Sequence, residues 1–423
     1  MNAADAPRTL GEGPVGRMPS QDWMQLPETR QVVAALTRDG TEVRYVGGCV
    51  RDAVAGRPVR DIDIATPDPP EKVMELLRAA KIQVIPTGIE HGTVTAVVGG
   101  RPFEVTTLRH DVETDGRRAR VAFTDDWVAD AARRDFTINA LSCTPDGRLY
   151  DPFGGLRDLE AGVVRFVGEP RRRIEEDVLR LLRFFRFHAS FGKAPPDAES
   201  LEACVEMADR LRTLSGERVR SELLRLLTAP AAVDVVRLIL ERGILADLLP
   251  EVRDIDRLAG LAAAETRVRA TPDAVLRLVA LLQTDVRGAA SVADRLRMSR
   301  AERARTTSLV ERRNVELGST VAGIRRAIYE NGRERYLDLC LLRAASDVDH
   351  AALERRWIQV REWTPPSFPL AGADVLALGV SRGPAVGELL AEVERWWVER
   401  GFIDDRAACL QRLEIAARNL RLP

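Results

Sequence analysis

The hydrophobic pattern changes period once along the 423-residue chain, and that single change limits the folds open to it. Between residues 28 and about 155 the apolar residues fall in short runs bounded by turns: VRYVGG, DIDIAT, IQVIP, GTVTAVVG and PFEVTTLR. Runs of this length, rich in Val and Ile, are strand signals. Among them lies PPEKVMELLRAA, where Pro69 and Pro70 open a helix and Val73, Leu76 and Leu77 share one face. From about residue 170 the strand signals stop. RRIEEDVLRLLRFFRF, ERVRSELLRLL, VDVVRLILERGIL, DAVLRLVALL and GELLAEVERWWVER all repeat apolar residues at three and four, which is the period of an amphipathic helix. The expected fold class is therefore α+β: a head with a mixed β-sheet over residues 28–155, followed by helices alone. Residues 1–27, rich in Gly, Pro and Ala and without periodicity, read as a loose extension. Pro250, Pro272 and the cluster Pro365, Pro366 and Pro369 are the expected breaks between helical subdomains.

Charge and cysteine content narrow the function classes. Lys and Arg number 63 against 64 Asp and Glu, a formal charge of −1. No global positive field gathers polyanions, so any nucleic-acid contact has to come from a local patch. The five cysteines, Cys49, Cys143, Cys204, Cys340 and Cys409, are odd in number, far apart and without a C-x-x-C pair. That pattern fits a reducing compartment and neither a disulfide framework nor a zinc module. No stretch reaches eighteen uninterrupted apolar residues, so a cytoplasmic protein without a membrane span is expected.

Four constellations carry chemistry. Gly47-Gly48-Cys49-Val50-Arg51-Asp52 is followed, ten residues after the arginine, by Asp61-Ile62-Asp63-Ile64. In a strand, residues two apart share a face, so Asp61 and Asp63 would present two carboxylates side by side. Such a pair is a seat for divalent metal beside a triphosphate. The two glycines, between a strand and a helix, would let backbone N–H groups approach phosphate, with Arg51 adding charge. A solvated strand edge and an ordinary turn explain either motif alone, but not both at this spacing. Glu104, in Phe103-Glu104-Val105, would face the Asp pair from a neighbouring strand as a third ligand.

Arg133-Arg134-Asp135-Phe136-Thr137-Ile138-Asn139-Ala140-Leu141 offers guanidinium forks for phosphate oxygens and a carboxylate for sugar hydroxyls. It fits equally a helix start capped by Asp135. Glu176-Asp177-Val178-Leu179-Arg180 continues through Arg183 and Arg186. On one helix, Asp177 and Arg180 would be adjacent, with Arg183 and Arg186 drifting along the same face in steps of three. A carboxylate that accepts from an amino group, beside a guanidinium that donates to ring acceptors, can imitate a Watson–Crick edge. An ordinary surface ion pair gives the same spacing.

Taken in order, GGCVRD with DID, RRDFTINAL, YDPFGGLRDL, EDVLRLLR and ERVRSELLRLL resemble the motif series of the class II CCA-adding enzymes. These are tRNA nucleotidyltransferases, and the family also holds bacterial poly(A) polymerases. The likeness runs from about Tyr45 to about Leu227. It implies a nucleotidyltransferase head of the DNA polymerase beta superfamily type, then a helical neck (156–228), body (229–330) and tRNA-binding tail (331–423). It implies that Asp61 and Asp63 bind catalytic Mg²⁺, that Gly48, Arg51 and Arg134 contact the incoming nucleotide, that Asp177 and Arg180 read its base, and that Arg183 and Arg186 complete the pocket. Asp151, Gly154 and Gly155 would form the turn into the neck, and Glu217 and Arg220 would brace the base-reading helix. The implied partners are tRNA, CTP and ATP; the oligomeric state is not read from the sequence.

Thr87-Gly88-Ile89-Glu90-His91-Gly92-Thr93-Val94 is similar to the CCA-adding subgroup rather than to the poly(A) polymerases. Residues 109–121, polar and charged, resemble the family's flexible loop, which implies complete CCA addition over addition of CC or of A alone; the same stretch also reads as an ordinary exposed hairpin. Arginines at 295, 297, 303, 305, 312, 313, 325 and 326 put basic faces on the later helices, suited to RNA phosphates and diluted by Glu302, Glu311 and Glu316.

Overall fold

A computed structural model describes residues 9–115, 118–347 and 349–420, with the backbone alone for 111–115, 118–121 and 420. The chain forms two compact units, Met1–Pro250 and Glu251–Pro423. Among the described residues all the strands fall in the first. They are β1 (Gly16–Arg17), β2 (Arg44–Val46), β3 (Asp63–Thr66), β4 (Gln83–Gly88), β5 (Thr93–Val98), β6 (Arg101–Thr107), β7 (Arg109–Asp115), β8 (Arg118–Phe123), β9 (Ser142–Cys143) and β10 (Arg148–Tyr150). Eight of them make one sheet in the order β1-β10-β9-β2-β3-β6-β5-β4. Only β3 and β6 run parallel, so the sheet is mixed, as the alternation of runs and turns implied.

Helices α1 (Asp22–Gln25), α2 (Pro27–Leu36), α3 (Gly48–Val54), α4 (Pro70–Ala79) and α5 (Trp127–Ala132) accompany the sheet. Val73 and Leu77 of α4 are buried, as are Val94, Phe103 and Val105 of β5 and β6, which α4 contacts. The alternation along β6 leaves Glu104 exposed on the opposite face. β7 and β8 pair only with each other, as a separate hairpin. The segment read as a flexible loop is thus a two-stranded ribbon at its base, and residues 116 and 117 at its tip lie outside the described residues.

The loose extension expected over residues 1–27 is loose in neither contact nor register beyond Gly16. Gly16 and Arg17 pair with Leu149 and Arg148, Met18 and Met24 are buried, and the Trp23 ring meets Tyr45 at 4.7 Å. The strand covers the edge of β10 whose backbone groups would otherwise lack partners. Two residues are too few to show a period, so the strand leaves no mark in the hydrophobic pattern.

Beyond the sheet the first unit is helical: α6 (Gly155–Ala161), α7 (Pro170–Glu176), α8 (Leu179–Phe191), α9 (Ala198–Glu206), α10 (Gly216–Leu227) and α11 (Ala232–Glu241). Asp151 accepts from the Gly155 and Leu156 N–H groups at 2.7 and 3.0 Å and so starts α6. A side chain at 155 would place its Cβ 2.2 Å from the Thr137 carbonyl oxygen. The boundary expected at 228/229 is not a break. α11 packs on α8, its Val235, Val236 and Ile239 are buried, and the Ala231 N–H donates to Ala189 O at 3.0 Å. The division falls instead at Pro250.

The second unit contains α12 (Asp256–Val268), α13 (Ala274–Leu281), α14 (Val286–Arg295), α15 (Arg300–Arg312), α16 (Val321–Asn331), α17 (Arg333–Ala344), α18 (His350–Glu362), α19 (Gly372–Ala377), α20 (Pro384–Glu399) and α21 (Arg406–Leu420). The boundary expected at 330/331 is overturned too. Ile324 and Ile328 of α16 share one core with Tyr336 and Leu339 of α17. A second core, from Leu370 to Ala417, begins just after Pro365–Pro369, where proline does interrupt the helices. No helix among the described residues is long and apolar enough to cross a membrane.

Candidate active site

Strand register gathers the first constellation. Tyr45 pairs with Ile64 and with Cys143, so the chain leaving β2 emerges beside the start of β3 and the end of the 133–141 segment. Asp63 opens β3 and lies in register with Glu104 of the parallel β6. Ile62 and Ile64 are buried, Asp63 is half-buried, and Asp61 and Glu104 are exposed. Asp61 sits in the approach to the strand rather than in it. Burial, the Glu104 carboxylate and, more weakly, Asp61 push the Asp63 carboxyl up to about 6 against the pull of Arg134.

Mutually repelling carboxylates of this kind gain from a hard cation. Among the described residues no three His, Cys, Asp or Glu side chains form a ready-made metal cage. Mg²⁺ is commonly held by one or two carboxylates, with substrate phosphates and water completing its octahedron. Asp63, Asp61 and Glu104 supply the right donor type for it.

The glycine pair does less than its position implied. Gly47 has φ +66°, and a Cβ there would stand 2.6 Å from Nη1 of Arg134, so this residue must be glycine for the arginine to lie against the backbone. Its N–H already donates to Leu141 O at 3.1 Å and is not free for phosphate. Gly48, with only Arg51 Nη2 within 4 Å of a built Cβ, is the open position. Arg51 donates to Asn139 Oδ1 at 2.6 Å and to Asp52 Oδ1 at 2.9 Å, and its guanidinium lies 4.5 Å from the Phe191 ring centroid. Cys49 between them is buried, and burial pushes its thiol up to about 12, which rules out a thiolate nucleophile near neutral pH.

In the 133–141 segment the helix-cap reading fails. The turn over Thr137–Asn139 is a single 3₁₀ turn, and Asp135 instead takes hydrogen bonds from Asn139 Nδ2 at 2.8 Å and from Arg183 Nε at 2.7 Å. Burial opposes its charge, but Arg183 and Asn139 outweigh burial and hold the carboxyl below its ordinary value. Arg134 is tethered to Asp130 Oδ2 at 3.3 Å. Asp130 is buried, yet Arg133 and Arg134 keep it ionised below the usual range.

The fourth constellation is not one helix. α7 stops at Glu176, Asp177 is extended at φ −154°, and α8 starts at Leu179. Asp177 breaks the run because its carboxylate accepts from the Leu179 N–H at 3.1 Å, a local bond that competes with the helix. Asp177 and Arg180 are therefore not an ion pair with each other, although the Arg180 N–H donates to Asp177 O at 3.0 Å and keeps the two residues side by side. Asp177 pairs with Arg218 of α10 at 2.7 Å, and Arg180 with Glu176 at 2.5 Å. Arg180, Arg183 and Phe187, spaced by three and four, do share a face of α8. Arg186 has drifted off it, since steps of three rotate by about −60° each. It bonds Glu222 of α10 at 2.5 Å and does not line the cleft.

That cleft, about 470 Å³, is walled by Gly47, Gly48, Arg51, Asp63, Arg134, Asp135, Asn139, Asp177, Leu179, Arg180, Arg183, Phe187 and Arg218. Seven of the sequence-predicted residues meet there: Gly48, Arg51, Asp63, Arg134, Asp177, Arg180 and Arg183. Asp61, Glu104 and Arg186 stand outside its wall. Sequence reasoning missed Arg218, Asn139 and Phe187 as cleft residues, and Glu222 as the brace for α8; Asp135, offered as an acceptor for sugar hydroxyls, does line the cleft. Arg218 and Glu222 were legible in ERVRSEL, where they stand four apart on one helical face; Glu217 and Arg220 were the residues expected to brace.

Comparison with known proteins finds relatives along most of the chain. Residues 43–165 match the family model "Poly A polymerase head domain", and residues 196–255 match "Probable RNA and SrmB- binding site of polymerase A". The chain is 33% identical to the mitochondrial CCA tRNA nucleotidyltransferase 1 of Mus musculus, over 88% of this chain and 86% of that protein. It is 32% identical to the CCA-adding enzyme of Streptococcus sanguinis, over 94% and 98%. The crystal structure of the Bacillus stearothermophilus CCA-adding enzyme in complex with CTP superposes with a TM-score of 0.77 at 28% identity, covering 95% of this chain and 99% of that one. By motif order, fold and this extent of similarity, the chain belongs to the family of class II CCA-adding enzymes, the tRNA nucleotidyltransferases.

Proposed function

We propose that the cleft takes one CTP or ATP at a time and joins its nucleotidyl group to the 3′-hydroxyl of tRNA, releasing pyrophosphate, until CCA is complete. The observation that carries this is the convergence in one cavity of a metal-type carboxylate, Asp63, three phosphate-type arginines, Arg51, Arg134 and Arg183, and a carboxylate and guanidinium, Asp177 and Arg180.

Arg51 and Arg134, held by Asn139, Asp52 and Asp130, orient the triphosphate and offset the charge that grows on the leaving pyrophosphate. Gly48 lets the phosphates approach the backbone. Asp63, with Asp61 and Glu104, would hold Mg²⁺, which when bound lowers the pKa of an attacking hydroxyl and polarises phosphoryl oxygens. No protein nucleophile is required.

Asp177 and Arg180 supply the choice of base. Cytosine and adenine both present an amino donor next to a ring-nitrogen acceptor, whereas uracil and guanine present a carbonyl next to an N–H. An acceptor carboxylate beside a donor guanidinium therefore suits the first pair and opposes the second. Arg218 and Glu176 fix the two groups separately, so each keeps its own orientation. Arg183 is held between Asp135 and Glu222 on the same wall.

The hairpin at 109–123 supports complete CCA addition over a partial one. Its first residue ties it to the nucleotide arginines: the Arg109 N–H donates to Asp130 Oδ1 at 3.3 Å, and Asp130 also holds Arg133 and Arg134. Five free and buried cysteines favour a cytoplasmic location. The test is to give purified enzyme and Mg²⁺ labelled tRNAs ending before C, after CC and after CCA, with CTP and ATP singly and together. Growth that halts at CCA is expected. Open-ended growth with ATP alone would make the enzyme a poly(A) polymerase, and growth from only one of the ends would make it a CC- or A-adding one.

A further inference from the structure

The sheet face turned away from α4 continues past the metal-type carboxylates. Sheet order places β2, which leads into Gly48 and Arg51, on one flank of β3, and β6, β5 and β4 on the other. Gly48 and Arg51 therefore stand on one side of Asp63, and Glu104, its partner in register, on the other. Pairing carries the row outward from Glu104. Glu104 is opposite Thr95 of β5, and Thr95 is opposite Ile85 of β4; residues paired in this way share a face. Beside that row Thr106 of β6 is opposite Thr93 of β5. The Thr93 and Thr106 hydroxyls are hydrogen-bonded at 3.2 Å, and those of Thr87 and Thr95 at 2.8 Å. Three strand spacings separate Asp63 from Ile85, about 14 Å in all.

The end of the row is apolar where a sheet gains nothing from it. Ile85 is 42% exposed and lies on β4, the edge strand, where charge and proline are the usual guards against stray pairing. Pro86, next to it, has no N–H to donate and is exposed, so strand pairing with a second copy is opposed. An occupant of another kind has to account for the isoleucine.

The chemistry limits what that occupant can be. In phosphoryl transfer the attacking and leaving oxygens stand roughly in line across the phosphorus. With the leaving pyrophosphate held on the Arg51 flank of Asp63, the attacking hydroxyl arrives on the Glu104 flank. Beyond Glu104 the row is uncharged, which suits a nucleoside and not a further phosphate. Threonine hydroxyls both donate and accept, as a ribose 2′-hydroxyl does, and each threonine pair uses only one of its two O–H groups internally. Ile85 offers an apolar surface to the flat of a base. We infer that the row Glu104, Thr95 and Ile85, with Thr87, Thr93 and Thr106 beside it, binds the 3′-terminal nucleoside of the RNA being extended, its ribose on the threonine hydroxyls and its base over Ile85. The inference rests on the nucleotidyl transfer proposed above and adds to it the seat of the acceptor. It makes the threonines select for a ribose at the RNA end, separately from the choice of incoming nucleotide.

The double variant T95V/T106V removes one hydroxyl from each pair and keeps the β-branched shape. I85Q removes the apolar surface at an exposed position that asks little of folding. Full-length wild type and both variants extend tRNA ending in CC with ATP, the terminal cytidine carrying either ribose or 2′-deoxyribose, and each protein is also run on a sizing column. For the ribose end, kcat/KM should fall about three- to tenfold in T95V/T106V, with the KM for ATP within about twofold of wild type. Wild type should favour the ribose end, and the double variant should lose that preference by about the same factor. I85Q should lower kcat/KM for both ends alike, by about threefold. An equal loss on both ends in T95V/T106V, or a raised KM for ATP, would overturn the ribose seat. A changed elution volume of I85Q with tRNA kinetics intact would make Ile85 a contact between copies and overturn the base seat. Wild type that extends no RNA would sink the transferase function and this site together, whereas an active wild type with indifferent variants sinks this site alone.

Discussion

In the unit that ends at Pro250, Arg44, Asp130, Asp135, Asp151, Asp158, Arg173 and Glu222 are buried, and four of the seven, Asp130, Asp135, Arg173 and Glu222, hold or border the cleft; in the unit after it, the buried Asp, Glu and Arg residues among the described ones are Glu265 and Arg277, and they hold each other. The first unit spends burial on aiming side chains: Asp130 tethers Arg134, Asp135 tethers Arg183, and Glu222 tethers Arg186. The second spends it on apolar contact, with cores built from Leu261, Leu276, Ile328, Tyr336 and Leu339 and from Val375, Leu389, Val393 and Trp397. A buried ion pair is weak as a source of stability. Its repeated use beside one cavity points to orientation as what is gained.

The sharpest break of this comparison is at the cleft's carboxylate. Asp63→Ala should lower incorporation by on the order of a thousandfold or more while tRNA affinity stays within about twofold, because it removes a group needed only for the chemical step. Single-turnover incorporation with filter binding of tRNA checks both halves. Next come the buried braces. Glu222→Ala leaves Arg186 and one side of Arg183 without a partner, which should cost about 3 kcal/mol of stability and also raise the KM for CTP. Glu265→Ala takes a buried carboxylate away from Arg277 in the other unit and should also destabilise it, with no change in that KM. Denaturant melts and initial rates on the two variants separate a shared penalty from a function held by one unit alone.

Much of the first unit was legible. The lengths of the apolar runs gave a mixed sheet, and glycine, acid and arginine at fixed offsets marked seven residues that share one cleft. Misreadings came where a local bond or a short pairing outweighed periodicity. Asp177 captures the Leu179 N–H and cuts a run that reads as one helix. Gly16–Arg17 is too short to show alternation. Arg186 was counted by steps of three although such steps rotate around a helix. Arg218 and Glu222 share a legible helical face in ERVRSEL, but what they pair with is not legible, because the partners lie about forty residues away in sequence, on α8 and before it. In the second unit the periodicity announced helices, but nothing in a period says which helices share a core. Proline did mark the division at Pro250 and the change of core after Pro365.

The smallest expected effect concerns acid. Burial raises the Asp135 carboxyl, but Arg183 and Asn139 outweigh it, so the folded-state pKa lies below 3.8. Its contribution is complete above the unfolded value and is lost as pH falls through the folded one. Stability of the first unit should therefore decline below about pH 4, and Asp135→Asn should flatten that decline while leaving the second unit's transition unmoved. Thermal melts between pH 6 and pH 3 on both proteins would show it.

The central claim is that side chains alone, aimed by buried partners, choose the nucleotide. The most direct measurement is single-turnover incorporation of CTP, ATP, UTP and GTP by wild type and by Asp177→Ala, each on tRNA lacking its terminal nucleotides. The account predicts that CTP and ATP lose roughly ten- to a hundredfold over UTP and GTP, the worth of about one good base-edge contact. Selectivity preserved in Asp177→Ala, with only an overall fall in rate, would contradict it and leave Asp177 as a structural partner of Arg218.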